Sequence, residues 1–263
     1  MAAASPSPFH GAAPYYRFRA PYTEAAIEFA CAELGVGASS RVIDVGCGPG
    51  TLAIRFAARA REVVAVDVDT EMLAEAELAV RAAGRGNLRF VRARAEELSS
   101  ELGSFRAATL GRSFHWMDRD LVLRRLAELV EPGGGVALFA TGARTREESW
   151  MAWAREIAER YLGPRGRHPA ANAELENEPA LRRSGAFAPP LERAFASTLE
   201  RDFDSMLGCI YSHSSSTRRL FGERAPEFER ELRAELARHC PSGVLRESFG
   251  TQVVIARKLA HRP

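Results

Sequence analysis

The sequence predicts an α/β fold of the doubly wound class with a mostly parallel sheet. Three observations support this prediction: short apolar runs rich in valine, closely spaced glycines directly after the first run, and helical patterns between the runs. Continuous apolar runs are typical of parallel strands, which are buried on both faces. Strands that alternate with helices are joined by right-handed crossovers, so the runs are expected to lie side by side in one sheet.

The strands are expected in chain order as follows. Residues 41–67 supply the first two strands, residues 88–111 the next two, and residues 135–141 the fifth. The fourth strand is expected at Ala107–Leu110. The glycine-rich turn at 131–135 ends a helix and leads into the fifth strand.

Composition narrows the class of protein. A chain of 263 residues with 46% hydrophobic residues can bury a substantial core. The formal net charge is +2 and the charges are interleaved, which argues against a nucleic-acid partner. The four cysteines lack C-x-x-C spacing, and no segment approaches the roughly 20 apolar residues of a membrane span. We expect a cytoplasmic protein without a metal site, a signal peptide or a membrane anchor.

The run from Val42 to Gly50 contains the strongest functional signal. Gly46, Gly48 and Gly50 allow positive φ angles and close approach of a ligand to the backbone. The helix expected to begin near Thr51 directs its N-terminal N–H groups and positive dipole end at the same place. The run therefore predicts a nucleoside-cofactor site that favours a negatively charged group.

The spacing favours S-adenosylmethionine over a dinucleotide. Thr51 stands where the dinucleotide pattern G-x-G-x-x-G has its third glycine or an alanine. Asp44 would repel a pyrophosphate but suits the ammonium group of a methionine moiety. An NAD(P)-dependent oxidoreductase remains the alternative.

Asp67 and Met72 extend this prediction. Asp67 ends the strand about 20 residues after the glycine turn, where a carboxylate accepts hydrogen bonds from ribose hydroxyls. Met72 lies in the first turn of the next helix, beside adenine or, alternatively, in the core.

These motifs resemble the class I S-adenosylmethionine-dependent methyltransferases, in particular the branch with ubiquinone/menaquinone and trans-aconitate methyltransferases. Their V-L-D-x-G-C-G-x-G pattern is matched by Val42–Gly50, and their acid after the second strand by Asp67. The resemblance covers about residues 15–142. It implies S-adenosylmethionine as cofactor, S-adenosylhomocysteine as product, and a seven-stranded sheet. The closing strands would lie at 191–199 and 250–258, the last one antiparallel.

An N-terminal segment extends the resemblance. In this branch, Y-x-x-x-R-P-x-Y-P precedes the core and its Arg and Tyr reach the cofactor's carboxylate. Arg19 and Tyr22 match that pattern, whereas Ala20 and Thr23 replace its prolines. An aromatic lead-in packed on the sheet is the alternative.

The segment after the third strand departs from the family. There the pattern G-D-A-E-x-L supplies an Asp for the adenine amino group, but this chain has Arg94 at that position. A guanidinium cannot accept a hydrogen bond. Glu96, the backbone of Ala95, or stacking by Arg94 would replace the carboxylate; otherwise Arg94 is a solvated surface residue.

The loop after the fourth strand, Gly111–Asp118, resembles the A-F-H-W-x-D run of this branch. Ligands of open α/β sheets lie at the carboxyl ends of the strands, so this loop would face the reacting methyl group. His115 is either a general base or a residue that holds the loop, and Trp116 lines the pocket or is structural. The loop lacks Asn-Pro-Pro-Tyr, which argues against methylation of nucleic-acid bases.

The organisation along the chain is a core with a cap. Residues 1–14 are predicted to be a disordered tail and 15–263 a single domain. The cofactor-binding core is expected at 36–142, and the helical cap and substrate elements at 15–35, 143–190 and 201–247. Such long insertions usually cover an active site.

The candidate catalytic residue is His115. The expected cofactor contacts are Arg19, Tyr22, Asp44, Gly46, Cys47, Gly48, Gly50, Asp67, Val68, Met72, Ala95, Glu96 and Ser113, and the expected substrate contacts are Tyr16, Trp116, Tyr211 and His213. The serine-rich stretch around His213 is a solvated connection in the alternative interpretation.

The predicted function is methyl transfer from S-adenosylmethionine to oxygen or activated carbon of a small molecule in secondary metabolism. The alternatives are a non-catalytic binding protein with a cofactor fold, and a methyltransferase acting on RNA or protein. The sequence does not determine the acceptor or the oligomeric state.

Overall fold

The computed structural model describes residues 7–143, 150–163 and 176–259. The strands are β1 (Arg41–Val45), β2 (Glu62–Asp67), β3 (Leu88–Arg92), β4 (Phe105–Gly111), β5 (Val130–Ala143), β6 (Leu191–Arg201) and β7 (Leu245–Arg257). The helices are α1 (Glu24–Leu34), α2 (Ala53–Ala57), α3 (Thr70–Ala82), α4 (Arg119–Leu129), α5 (Trp150–Leu162), α6 (Asn177–Arg183), α7 (Phe203–Tyr211), α8 (Arg218–Phe221) and α9 (Ala225–His239).

The strands form one seven-stranded sheet in the order β3-β2-β1-β4-β5-β7-β6. The pairs β1–β2, β1–β4, β2–β3 and β4–β5 are parallel. The N–H of Lys258, just after β7, donates to the carbonyl of Gly134 near the start of β5 (2.8 Å), so β7 runs antiparallel. The doubly wound fold and its antiparallel closing strand are therefore confirmed.

The glycine-rich segment before the fifth strand differs in form from the expected turn. Strand β5 begins at Val130, directly after α4, rather than at residue 135. Phe105 pairs with Val130 and Ala107 with Gly135, so β5 advances five residues while β4 advances two. Residues 131–134 thus form a bulge within the strand, where Gly133 has a φ of 76°.

The chain divides into two compact units. The first comprises residues 1–20, 142–168 and 196–250, and the second comprises residues 21–141, 169–195 and 251–263. Of the predicted disordered tail, residues 1–6 lie outside the described residues, and Ala13 of the remainder is buried. Parts of the predicted cap segment 143–190, at 144–149 and 164–175, also lie outside them.

The second unit contains a core on each face of the sheet. Ile43 and Val45 of β1 belong to the cluster that includes Leu123 and Leu126 of α4. The alternate residue Val42 belongs to the cluster that includes residues of α1 and α2. Successive side chains of a strand point to opposite faces, so this division fixes which side chains share a face with Asp44.

The first unit is a helical assembly with its own core. The long helix α9 buries Phe228, Leu232 and Leu236, the apolar face expected from their spacing. Helix α7 packs against the 3₁₀ segment Ala13–Phe18, and a Cβ atom on Gly208 would lie 2.1 Å from the Phe18 ring.

No helix among the described residues is long and apolar enough to cross a membrane.

Gly208→Ala is expected to destabilise the protein by about 1–3 kcal/mol, as overpacking does in cores. Replacing a helical glycine by alanine normally stabilises by about 0.5–1 kcal/mol, so the contact with Phe18 reverses the usual sign. Urea unfolding followed by circular dichroism measures the change. Gly37→Ala, where a Cβ atom meets nothing within 4 Å, is the control. A stabilised Gly208→Ala protein would contradict the packing.

Candidate functional site

The three glycines after β1 form a left-handed turn. Gly46, Gly48 and Gly50 have φ angles of 67°, 54° and 77°, a region that residues with a Cβ atom rarely adopt. The N–H groups of Gly46 and Cys47 donate to the Val66 carbonyl at the end of β2 (2.8 and 3.0 Å). The turn is thereby anchored to the neighbouring strand.

The approach of the β4 loop leaves no room for a side chain at Gly46. A Cβ atom there would lie 2.5 Å from the Cβ atom of Ser113. The hydroxyl of Ser113 donates to the Val45 carbonyl (2.8 Å), which joins the ends of β1 and β4. Ser113 is thus part of the wall of the glycine turn.

Asp67 connects β2 to the glycine turn. Its Oδ2 atom accepts a hydrogen bond from the Gly48 N–H (2.8 Å), and its Oδ1 atom accepts one from the Asp69 N–H (2.9 Å). Burial raises the pKa of Asp67 above its usual range. A carboxylate offers about four acceptor positions, so Asp67 has the capacity to bind a pair of ribose hydroxyls as well.

Asp44 is a buried acid with one oxygen unsatisfied. Its side chain is 1% exposed, and its Oδ1 atom accepts a hydrogen bond from the Thr109 hydroxyl (2.8 Å). The Oδ2 atom is buried and has no hydrogen-bond partner of ordinary geometry among the described residues, although the nearby Ala53 backbone N–H acts to lower the pKa of Asp44. Burial raises the pKa of Asp44 to about 7. An unsatisfied buried acceptor is costly, and a ligand ammonium group would satisfy it.

The start of α3 separates Val68 and Met72, two apolar residues among the expected cofactor contacts. Asp69 caps this helix by accepting from the N–H groups of Glu71 and Met72 (2.9 and 3.2 Å). Met72 is buried, which agrees with the core-packing alternative. Val68, directly after Asp67, is 55% exposed and is the apolar side chain available to a ligand there.

The segment after β3 is joined to the loop after β4. Glu96 lies in the 3₁₀ turn Ala95–Glu97, and its Oε1 atom accepts from the Asp118 N–H (3.0 Å). Its Oε2 atom is 3.5 Å from Nε of Arg94, whose side chain is largely exposed. Ala95 is buried. Glu96 and the backbone of Ala95 both remain candidates for adenine.

The candidate catalytic residue lies in the 3₁₀ turn Phe114–Trp116, on the loop after β4. The His115 and Trp116 rings are 5.3 Å apart and tilted by 43°. Trp116 is 41% exposed, an unusual position for a large aromatic ring. The two side chains therefore lie together on the loop after β4, the strand that pairs with β1 and its glycine turn.

Sequence reasoning missed two residues at this edge of the sheet. Thr109 is fully buried and binds Asp44, and a lone polar residue inside a buried strand could have indicated it. Arg112 has a φ of 54°, the one positive φ recorded for a non-glycine residue among those described. No sequence pattern predicts a left-handed arginine.

Tyr22 lies beside Arg112 in the same unit. The Tyr22 ring is buried edge-on against Phe139, with centroids 5.6 Å apart. Its hydroxyl oxygen lies 2.4 Å from where a Cβ atom on Gly111 would be, so glycine is required for this contact. The Arg112 guanidinium carbon lies 4.9 Å from the Tyr22 ring centroid.

The other predicted contacts lie in the first unit. Arg19 stacks over the Tyr16 ring at 4.1 Å, and its Nε and Nη2 atoms donate to the hydroxyl and carbonyl of Ser212 (3.0 and 2.7 Å). The buried Tyr211 donates its hydroxyl to Glu229 (2.9 Å).

The structure thus brings Tyr16 and Arg19 together with residues 211–213. Nδ1 of His213 is 2.8 Å from the Cys209 carbonyl at the end of α7. Burial raises the pKa of Tyr211 far above its usual range.

No group of three or more potential metal ligands occurs in the described parts of the chain.

Comparisons with known proteins identify relatives. Residues 42–134 match the family model described as a methyltransferase domain. A ubiquinone biosynthesis O-methyltransferase of Paracidovorax citrulli is 31% identical over 183 residues, covering 64% of this chain and 76% of the relative. An uncharacterized methyltransferase of Mycobacterium tuberculosis is 33% identical over 145 residues, 55% of this chain and 54% of the relative. The chain thus matches about half the length of the mycobacterial protein.

A solved structure shares the fold. It is a methyltransferase from Thiobacillus denitrificans in complex with S-adenosylhomocysteine, with a TM-score of 0.54 and 17% identity. The alignment covers 96% of this chain and 99% of that one. At this identity the likeness supports the fold alone.

Asp44 is expected to make the stability of the protein fall as pH rises. Its pKa is about 7 in the folded protein and about 3.9 in an unfolded chain, so between these values the folded state binds more protons. The contribution is complete below about pH 4 and is lost as pH rises through 7. From pH 5 to pH 8, wild type should lose more unfolding free energy than Asp44→Asn, by at least about 1.4 kcal/mol. Urea unfolding at both pH values measures the difference, and equal losses would contradict the raised pKa.

Proposed function

This chain belongs to the class I S-adenosylmethionine-dependent methyltransferases, and we propose that it transfers a methyl group from S-adenosylmethionine to oxygen or activated carbon of a small molecule. The observation that carries this proposal is the buried, unsatisfied Oδ2 atom of Asp44 beside a glycine turn that Asp67 holds. A zwitterionic amino acid joined to a nucleoside fits that pair of acids better than a pyrophosphate does.

The cofactor would be held by groups at the carboxyl edge of β1, β2 and β4. Asp44 would bind the ammonium group and Asp67 the ribose hydroxyls, while the glycine turn allows close approach. Val68 offers its exposed side chain to adenine. Glu96 or the Ala95 backbone would bind the adenine edge in place of the carboxylate that Arg94 replaces.

S-adenosylmethionine supplies an electrophilic methyl group on a sulfonium sulfur. When bound, it would give this methyl group to the acceptor oxygen or carbon, with the carbon–sulfur bond broken and S-adenosylhomocysteine as the leaving group. A protonated acceptor must also lose a proton, which His115 would accept through its ring nitrogen. The neighbouring Trp116 would help to exclude water from the acceptor.

A small-molecule acceptor in secondary metabolism is the substrate class we propose. The formal net charge is +2 and the charges are interleaved along the sequence, which argues against the strongly basic surface that binding to RNA requires. One relative carries the name of a ubiquinone biosynthesis O-methyltransferase, which supports transfer to oxygen. We propose Tyr16, Tyr211 and His213 as the residues of the first unit to examine for acceptor binding.

Isothermal titration of S-adenosylmethionine, S-adenosylhomocysteine and NADH into the protein tests the cofactor. The first two ligands are expected to bind with micromolar Kd, and Asp67→Ala should weaken both by about tenfold or more, because it removes charge-assisted hydrogen bonds. Asp120→Ala, which changes an exposed carboxylate in the first turn of α4, is the control. Binding of NADH alone, or of no ligand, would overturn the proposal.

The affinity for S-adenosylhomocysteine is expected to rise with pH between 6 and 8. Below its pKa of about 7 Asp44 is protonated and cannot pair with the ammonium group, so Kd should increase by up to about tenfold per pH unit below 7. Asp44→Asn should bind weakly and show a flat profile over the same range. Titrations at pH 6, 7 and 8 measure both proteins. The same slope in both would assign the dependence to another group, such as Asp67, whose pKa is also raised.

A further inference from the structure

Thr109 is a polar residue inside the buried sheet. Its side chain is fully buried, and its neighbours Ala108 and Leu110 along β4 belong to the apolar core. Valine has nearly the same shape and would fill this position without a polar atom. Because a buried hydroxyl is costly unless it is hydrogen-bonded, the hydroxyl bond that Thr109 makes explains why the position is polar.

The partner of the hydroxyl is Asp44. The two residues lie opposite one another in the β1–β4 register, and the Thr109 hydroxyl donates to Oδ1 of Asp44 (2.8 Å). The hydroxyl carries one proton, and its other acceptor, the Ile43 carbonyl, is more distant (3.5 Å). A β-branched side chain has few rotamers, so the hydroxyl is held in this direction.

The strand on the other side of β1 gives Asp44 no second side-chain donor. Ala65 of β2 lies opposite Asp44 in the β1–β2 register, and alanine has no polar side-chain atom. Burial raises the pKa of Asp44, whereas the hydroxyl of Thr109 and, to a lesser extent, the Ala53 N–H lower it. Thr109 is therefore the side chain that favours the ionised form of this carboxyl.

In the described part of the chain, the titratable groups that interact with Asp44 from neighbouring elements are Asp67 and Cys47. Asp67, at the end of β2, is a like charge that raises the pKa of Asp44. Cys47 lies in the glycine turn, where burial and the charges of both acids raise the pKa of its thiol well above the usual range. The thiol therefore stays neutral near pH 7 and does not contribute to changes there.

We infer that Thr109 is a positioning residue for cofactor binding: its hydroxyl holds Asp44 in the ionised form through Oδ1, and leaves the charged Oδ2 atom to pair with the ammonium group of S-adenosylmethionine. This inference rests on the proposed function. A protonated Asp44 offers an ammonium group no opposite charge. Thr109 thus sets the lowest pH at which the site binds its cofactor well, and it does so through Asp44.

The test compares the pH profiles of S-adenosylhomocysteine binding, measured as Kd by isothermal titration from pH 6 to pH 8.5. Thr109→Val removes the hydroxyl and keeps the shape of the side chain. Loss of a hydrogen bond to a charged group should move the pH below which binding weakens from about 7 to about 8. Relative to wild type, Kd should increase by about five- to tenfold at pH 6 and 7, but by less than about twofold at pH 8.5. The ligand's own amine titrates equally in every protein, so this ratio removes its effect.

Three further variants separate this effect from a loss of packing. Thr109→Ser keeps the hydroxyl and should keep the wild-type profile. Thr251→Val makes the same chemical change at a fully buried threonine of β7, whose hydroxyl accepts from the Thr23 N–H (2.9 Å), and should also keep it. In an Asp44→Asn background, Thr109→Val should have no pH-dependent effect, because Thr109 acts through Asp44.

Urea unfolding over the same pH range measures the titration of Asp44 without a ligand. Stability is lost as pH rises until it passes the folded-state pKa of Asp44, so the loss should end near pH 7 in wild type and near about pH 8 in Thr109→Val. If Thr109→Val does not fold, Thr109→Cys takes its place. Its S–H group is a weaker donor, so both profiles should move in the same direction by a smaller amount.

Three results would overturn the inference. The first is a wild-type pH profile in Thr109→Val, or in Thr109→Cys where that variant replaces it. The second is an equal loss of affinity at every pH, which would assign Thr109 to packing alone, and the third is the same shift in Thr109→Ser or Thr251→Val. Failure of wild type to bind S-adenosylhomocysteine at any pH would refute the proposed function itself. The unfolding profiles distinguish the two failures, because they report on Thr109 and Asp44 whether or not the cofactor binds.

Discussion

The close approach of the β4 loop to the end of β1 is the constraint on which the site depends. Ser113 occupies the space that a side chain at Gly46 would need, and its hydroxyl fixes the last carbonyl of β1. Because the glycine turn is also bonded to β2 through Asp67 and Val66, three strand ends are held together by groups of the chain itself. Because the site is preorganised in this way, less conformational entropy is lost when a ligand binds.

The same rigidity explains why an unfavourable carboxylate is tolerated. Asp44 lies among apolar strands, where ionisation is opposed by burial and where one oxygen has no described partner. Burial of ionised Asp44 therefore lowers the stability of the folded protein, and a cation bound beside it would offset that cost.

The strands, the glycine turn and the position of Asp67 at the end of β2 were predictable from sequence because each depends on a short run of neighbouring residues. The features that sequence did not reveal depend on contacts between distant residues. The bulge at 131–134 follows from the pairing of β5 with β4, and the left-handed Arg112 from its contacts with Tyr22 and Thr141. The polar stretch after α7 suggested a pocket or a solvated loop, yet Ser212 within it is fully buried and bonded to Arg19.

Glu96 connects two loops that would serve different halves of the reaction. One of its oxygens accepts from Asp118, next to the turn that carries His115, and the other is near Arg94. Any ligand that engages this carboxylate must share it with, or take it from, the Asp118 N–H. Occupancy at the nucleoside end would then change the free energy of the His115 loop, and by thermodynamic reciprocity an acceptor that orders this loop would change nucleoside affinity by the same factor. The two substrates would therefore bind as coupled rather than independent events.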